Sequence, residues 1–475
     1  MAAPALLPAS EPPIIEPGSF RDPAGGVVLQ GGRVFRYFSG TAGTEFLRLL
    51  DAPWFGELIR AGGVVESWPL ARAQAPALYA LAPEITAVVE HPRIPFVSYA
   101  YEWPFQMLRA AALHQLEVTS RALANGHMVK DATPYNVQFT GTRPVFLDAG
   151  SFERHTAGEG WRAYAQFCRM FLNPLYLQAY GGIAFQPWLR SSLEGIDTDT
   201  VRGLLPLRAK LRWAVFMDVV LQSVLNRRFA KNERALRSLA NRTIPDDVVR
   251  GMLARMTRTV ERTRRGRGSS AWVDYEQTKA HYSAEADAYK EAYVRRTMER
   301  DRPGTVLDLG CNTGQFSLIA AGLADHVVAV DSDEASVDAL FLRARASHPN
   351  ILPLVMDLTN PSPDQGWAQA ERRGFAQRAE ADLALCLALI HHVAISGNVP
   401  FGRFVDWLAS VARTAIVEFV PKSDPMVERL LFTRKDVYAG YTQKHFEAAL
   451  AGRFTIVERS ALPAGGRVLY TVGRL

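Results

Sequence analysis

Two hydrophobic periods run along this chain, and the balance between them changes past its middle. The early apolar runs are short. Val27-Val28-Leu29 and Val34-Phe35-Arg36-Tyr37-Phe38 read as strands, with Gly31-Gly32 between them as a hairpin turn. The spacing predicts helices over 45–50, 55–61 and 108–124, the last stopped by Asn125-Gly126. Residues 159–256 read as largely helical, with aromatic-rich helices at 164–180 and 211–226. The stretch 213–225 carries Asp218 and Gln222, falls short of a membrane span and reads as a buried helix. From 305 onward, apolar runs alternate with helical segments. Strands are expected at 305–311, 326–331, 351–357, 382–390 and 414–420, then an antiparallel pair at 454–461 and 467–472. Five strands alternating with helices and a final hairpin describe an α/β domain with a seven-stranded, mainly parallel sheet.

At 475 residues the chain exceeds one ordinary core. The pattern divides it into an Ala/Pro-rich disordered leader (1–25), an α+β domain with a helical second lobe (26–256), an Arg/Gly/Ser-rich linker (257–270) and the α/β domain (271–475). Between 250 and 270 seven arginines face the single acid Glu261. Without interleaved aromatics that run reads as a solvated helix face and a linker, ahead of a nucleic-acid contact. A net charge of +6 does not change that reading. Cys168, Cys311 and Cys386 have neither disulfide nor metal-ligand spacing, which suits a reducing cytoplasm. The leader lacks a basic n-region, so it is not a signal peptide, and no apolar run reaches spanning length. A cytoplasmic protein is expected.

The chemistry gathers around Thr305-Val306-Leu307-Asp308-Leu309-Gly310-Cys311-Asn312-Thr313-Gly314. A strand ends in an acid, a Gly-punctuated turn follows, and a helix opens. The register does not fit the Gly-x-Gly-x-x-Gly of dinucleotide folds. Asp-x-Gly-x-x-x-Gly instead resembles motif I of class I methyltransferases that use S-adenosylmethionine (SAM). That resemblance implies that Gly310 and Gly314 let the chain pass under the methionine part with Asp308 nearby. Asn312 stands at the usual middle glycine, and Asn tolerates a left-handed backbone. Asp331, ending the next strand, would accept the ribose hydroxyls. Asp357 would accept the adenine amino group, with the Leu358 backbone beside it. Tyr282 and Lys290 would sit where related enzymes close over the cofactor.

A second constellation lies upstream. Lys130-Asp131-Ala132-Thr133-Pro134-Tyr135-Asn136 leads into Val145-Phe146-Leu147-Asp148-Ala149-Gly150. It resembles the catalytic and metal loops of protein-kinase-like and aminoglycoside-phosphotransferase-like folds. By that resemblance Asp131 orients an acceptor hydroxyl, Asn136 and Asp148 hold Mg²⁺, and residues 99–102 form the adenine hinge. No lysine precedes Lys130, so Arg33 or Arg36 would have to replace the strand lysine that holds the phosphates. ATP and Mg²⁺ join SAM as cofactors only if this domain is active.

Methyl transfer needs alignment, exclusion of water and, for oxygen acceptors, a base. His391 and His392 follow the fourth strand and Glu418 leaves the fifth, so these three are the candidate catalytic residues. They also allow a metal site, although no fourth ligand is spaced with them. The segment 422–441, with Phe432, Tyr438 and Tyr441, is the candidate acceptor lid. Leu389-Ile390-His391-His392 and Glu418-Phe419-Val420-Pro421 resemble a bacterial group of methyltransferases akin to rhizobial nodulation proteins, with a kinase-like N-terminal half. The resemblance implies SAM-dependent methyl transfer; the acceptor expected between the histidine pair and the lid is an oxygen nucleophile on a small molecule, glycan or carrier-bound substrate. Two alternatives stay open: a bifunctional kinase–methyltransferase, and a methyltransferase carried by a non-catalytic pseudokinase scaffold. An RNA acceptor is a further possibility from the arginine run.

Overall fold

A computed structural model describes residues 11–230, 243–266, 284–432, 437–463 and 466–475. The start of the leader, the linker end at 267–270, Tyr282 and residues 433–436 of the lid lie outside the described residues. The N-terminal half opens with five antiparallel strands: β1 (Ile14–Ile15), β2 (Gly25–Gln30), β3 (Arg33–Ser39), β4 (Trp68–Leu70) and β5 (Ile85–His91). Their order is β1-β2-β3-β5-β4, with Gly31 and Gly32 supplying the positive φ of the β2–β3 turn. The helix Gly40–Leu50 packs on β5. The helix Phe105–Ala124 is the spine of the second lobe and keeps Phe105, Leu108, Leu116 and Ala122 buried. Two short ladders follow, β6 (His127–Val129) with β9 (Phe152–Arg154) and β7 (Val137–Thr140) with β8 (Arg143–Phe146). A five-stranded antiparallel lobe is thus followed by a helical one, the order expected from the resemblance to kinase-like folds.

The C-terminal half is one seven-stranded sheet. It comprises β10 (Thr305–Leu309), β11 (His326–Asp331), β12 (Ile351–Val355), β13 (Ala381–Cys386), β14 (Ala412–Phe419), β15 (Phe454–Ala461) and β16 (Val468–Arg474). The order is β12-β11-β10-β13-β14-β16-β15, parallel through β14 and antiparallel for the last pair. Helices cover both faces, which is why β10 to β14 read as near-continuous apolar runs. The chain reverses strand order between β10 and β13, so the carboxyl ends of those strands open a crevice there.

Three expectations change. Residues 11–25 are not a loose leader. β1 pairs with β2, the Arg21 guanidinium holds Glu371 (2.6 Å) and Glu16 accepts from Arg373 (2.7 Å). The helix Asp246–Arg262 runs six residues into the stretch read as linker, because Val249, Leu253, Met256 and Val260 bury one face against the spine helix. The fourth strand stops at Cys386, and Leu387 to Leu389 form a loop in which Ala388 takes φ 50°.

The two halves share buried surface. Phe375 packs at a tilt against Phe96, ring centroids 5.8 Å apart, and Gly141 passes so close to Pro349 that a Cβ would sit 1.6 Å from its carbonyl oxygen. Arg378, from the C-terminal half, enters the 96–102 segment. It donates to the Val97 carbonyl (2.5 Å) and to both carboxylate oxygens of Glu102, which also accepts from the Tyr99 N–H (2.9 Å). Both side chains are almost fully buried. Removing one partner strands a charge away from water. Arg378→Ala is therefore expected to destabilise the full chain by about 3–5 kcal/mol in urea unfolding, and Arg378→Met with Glu102→Leu to recover most of it.

Candidate active site

The turn after β10 folds as its sequence dictates. Gly310, Asn312 and Gly314 take φ 78°, 49° and 87°, and a Cβ on Gly314 would meet the Leu340 side chain at 2.3 Å. The turn places Asp308, Gly310 and Asn312 along a cavity of about 530 Å³, with Gly314 supporting the loop from behind. Asp331, Asp357 and Leu358 line the same cavity. Asp308 is buried and accepts the Ser317 hydroxyl at 2.6 Å; burial pushes its carboxyl up to about 7. Asp331 receives the Asn312 N–H on one oxygen and the Asp333 N–H on the other, each at 2.8 Å. Asp357 accepts the Thr359 N–H (2.8 Å) and hydroxyl (2.7 Å). Asn312 Oδ1 is buried without a donor. An acceptor left bare beside two strand-end carboxylates in a concave site suits a ligand carrying an ammonium and a diol.

The facing wall carries His391, His392, Met426, Lys290 and Arg467. The two imidazoles lie 4.2 Å apart, in the loop and the helical turn that follow β13. His391 is 2% exposed and its Nδ1 has no partner; burial, then His392 and Lys290, push it down to about 3. Burial also lowers His392. Glu418 is fully buried. Its oxygens receive Lys290 Nζ (2.8 Å), the Ala388 N–H (2.8 Å) and Arg467 Nη1 (3.1 Å), and Arg467 Nε reaches Asp424 at 2.7 Å. Glu418 is thus the anchor that holds the Ala388 turn and two cations against the cavity, and it does not line the cavity itself. Its three bonds leave no room for the metal-ligand role weighed for it.

The upstream constellation also assembles. Asn136 Nδ2 lies 3.4 Å from Asp148 Oδ2, and burial, then the charge of Asp148, raises the Asp131 carboxyl. Yet Arg36, reaching from β3, donates to Asp148 at 2.7 Å and to Asp22 at 2.8 Å. Arg33 turns away and pairs with Glu90. The acid expected to carry Mg²⁺ is already satisfied by a guanidinium, so these residues do not fit a divalent cation as they stand. Arg378 fills the hinge segment where adenine was expected, and the Arg372 guanidinium covers the Tyr135 ring at 3.7 Å.

No family model matches the sequence. Nodulation protein NoeA of Rhizobium meliloti (strain 1021) is 36% identical over 478 residues, spanning 100% of this chain and 99% of that protein. The chain belongs to the NoeA family. The bifunctional O-antigen chain terminator methyltransferase/kinase WbdD of Escherichia coli is 28% identical over 148 residues, 30% of this chain and 18% of WbdD. Among solved structures, the N-methyltransferase NodS of Bradyrhizobium japonicum WM9 overlays with a TM-score of 0.30 at 12% identity, covering 40% of this chain and 98% of NodS. This NoeA-family chain is a class I methyltransferase, and its sheet order is that of the class.

Sequence reasoning missed Arg467 and Arg378, and named Asp424 and Met426 only as part of the lid segment. Neither arginine stands in a motif, and only the fold brings Arg467 onto Glu418 and Asp424 and Arg378 onto Glu102. Arg36 was named only as a stand-in for a phosphate-holding lysine.

The buried titrating groups of this NoeA-family chain pull in opposite directions with pH. His391 has a folded pKa below its unfolded value near 6.5, so its contribution is complete above that pH and is lost as pH falls toward 3. Asp308 has a folded pKa raised to about 7, so it penalises the fold at neutral pH and less in acid. From pH 7.5 to 5.5, His391→Leu should gain about 1.4 kcal/mol relative to wild type in urea unfolding, and Asp308→Asn should move the other way.

Proposed function

We propose that the C-terminal half binds SAM along Asp308, Gly310, Asn312, Asp331, Asp357 and Leu358, and methylates an oxygen acceptor on a small molecule or glycan. The observation that carries this is the bare Asn312 Oδ1 in the same cavity as the strand-end carboxylates Asp331 and Asp357. Asn312 Oδ1 would accept from the amino acid ammonium, the free lone pairs of Asp331 from the ribose hydroxyls, and Asp357 from the adenine amino group. When bound, SAM supplies an electrophilic methyl on its sulfonium. The chain's own part is alignment and proton removal. His391, held near pKa 3, is too weak a base for a hydroxyl and instead shapes the wall, whereas His392 is the base. Glu418 fixes the Ala388 turn from which both histidines follow.

His392→Ala should lower kcat at least about 100-fold with SAM affinity unchanged, and Asp331→Ala should weaken SAM binding at least about tenfold in calorimetry. Full kcat in His392→Ala would remove the base assignment.

The N-terminal half serves, in this reading, as a pseudokinase that holds the acceptor or the fold, because Arg36 occupies Asp148 and Arg378 the hinge. The bifunctional activity in WbdD's name supports the rival reading, in which Arg36 swings away. Labelled methyl from SAM is to be followed into small-molecule, lipid, protein and RNA fractions of a producing-cell extract, with and without ATP-Mg²⁺. Equal label without ATP is expected; label that requires ATP would overturn the pseudokinase assignment.

A further inference from the structure

Among the described residues, the helical lobe of the N-terminal half carries one face of exposed apolar side chains. The sequence pattern predicts that 213–225 is buried, but only its inner side is. There Val215 and Val219 pack inward, and Asp218 accepts the Tyr176 hydroxyl (2.8 Å) and the Arg255 guanidinium (2.7 Å). On the outer side Trp213 is 71% exposed, and Phe216 and Val224 are exposed further along the same helical run. The short helix Leu207–Lys210 packs beside that run and adds Leu207, 79% exposed, with Leu211, 84% exposed, just after it. Large apolar chains this far into water, side by side, mark a contact surface.

The charges between them say what kind. Arg208, Lys210 and Arg212 alternate with Leu207, Leu211 and Trp213, and the Arg212 guanidinium lies 4.6 Å over the Tyr180 ring. Arg202, Arg227 and Arg228 lie further along the same segment. Across 202–228 these six cations meet one acid, Asp218, which is internal, and of the six Arg227 pairs with Asp199 just upstream (2.8 Å). A second copy on this face would bring Arg208, Lys210 and Arg212 against their own counterparts. RNA would satisfy the arginines and leave Leu207 and Leu211 in water. A bilayer with anionic headgroups answers both halves of the pattern. Leucine and tryptophan enter the boundary between headgroups and acyl chains, and long basic side chains reach up to the phosphates. We propose that this face seats the protein peripherally on an anionic phospholipid surface, through Leu207, Leu211 and Trp213 with Arg208, Lys210 and Arg212. The mode differs from spanning: among the described residues no helix is long and apolar enough to cross a membrane.

Full-length protein is sedimented with vesicles of phosphatidylcholine alone or with phosphatidylglycerol added. The anionic lipid should raise partitioning on the order of a hundredfold at low salt, with the gain shrinking as salt rises. Leu207→Asp with Leu211→Asp should abolish binding, and Arg208→Ala with Arg212→Ala should remove the preference for the anionic lipid. All four side chains lie at or near the surface, so an unchanged thermal midpoint will show that the variants fold. Wild type that stays in the supernatant with both lipids overturns the proposal. So does a double-leucine variant that still sediments. Self-association that Leu211→Asp abolishes, or RNA retention that it leaves intact, overturns it equally when vesicle binding is absent.

Discussion

A guanidinium taken out of water keeps its charge and must be met by acceptors, and Arg378 finds them across the boundary between the two halves. Glu102 offers both oxygens and is itself fixed by the Tyr99 N–H, while the Phe96, Tyr99 and Phe375 rings surround the pair. Such a pair adds little net stability over an apolar contact of equal size, but it tolerates only one alignment. That alignment sets the rest. It brings Pro349 onto Gly141, Arg190 onto the 360–361 backbone and Arg372 onto Tyr135. The loop that continues from Asp357 is thereby held from the N-terminal side.

The same rule, that buried carboxylates must be met, separates the two constellations by function. Asp148 and Glu418 are both strand-end acids that sequence reasoning placed at catalytic positions. Both are consumed by cations of the chain itself, Arg36 for one and Lys290 with Arg467 for the other. Asp331 is different. Its partners are backbone N–H groups, which leave lone pairs for a ligand, and its neighbour Asn312 holds an acceptor with nothing to accept. A site that can still bind is recognised by what its polar atoms lack.

The strand pattern carried most of the C-terminal fold, because a sheet buried on both faces writes itself as apolar runs ending in Asp308, Asp331 and Asp357. The turn after β10 was legible for a similar reason, since few residues other than Gly and Asn accept its φ values. What escaped were pairings distant in sequence. Nothing around Arg378 or Arg467 announces a partner, because such pairs depend on how sheets dock and not on local period. The 213–225 helix was misread for a further reason. Apolar content says that surface wants cover, but not whether this chain supplies the cover.

The apolar core runs without interruption through both halves, from Phe38, Phe105 and Phe139 to Phe341, Phe375 and Trp407. Phe139 and Phe341 meet edge to face at 6.2 Å across the boundary. A catalytic cassette can be recombined between genes when its surface is complete before and after the cut. Here a cut would leave two raw apolar faces, so neither half could be moved without a new cover for its own. A substitution on the Phe96–Phe375 seam in either half must then fit the other half as well as its own.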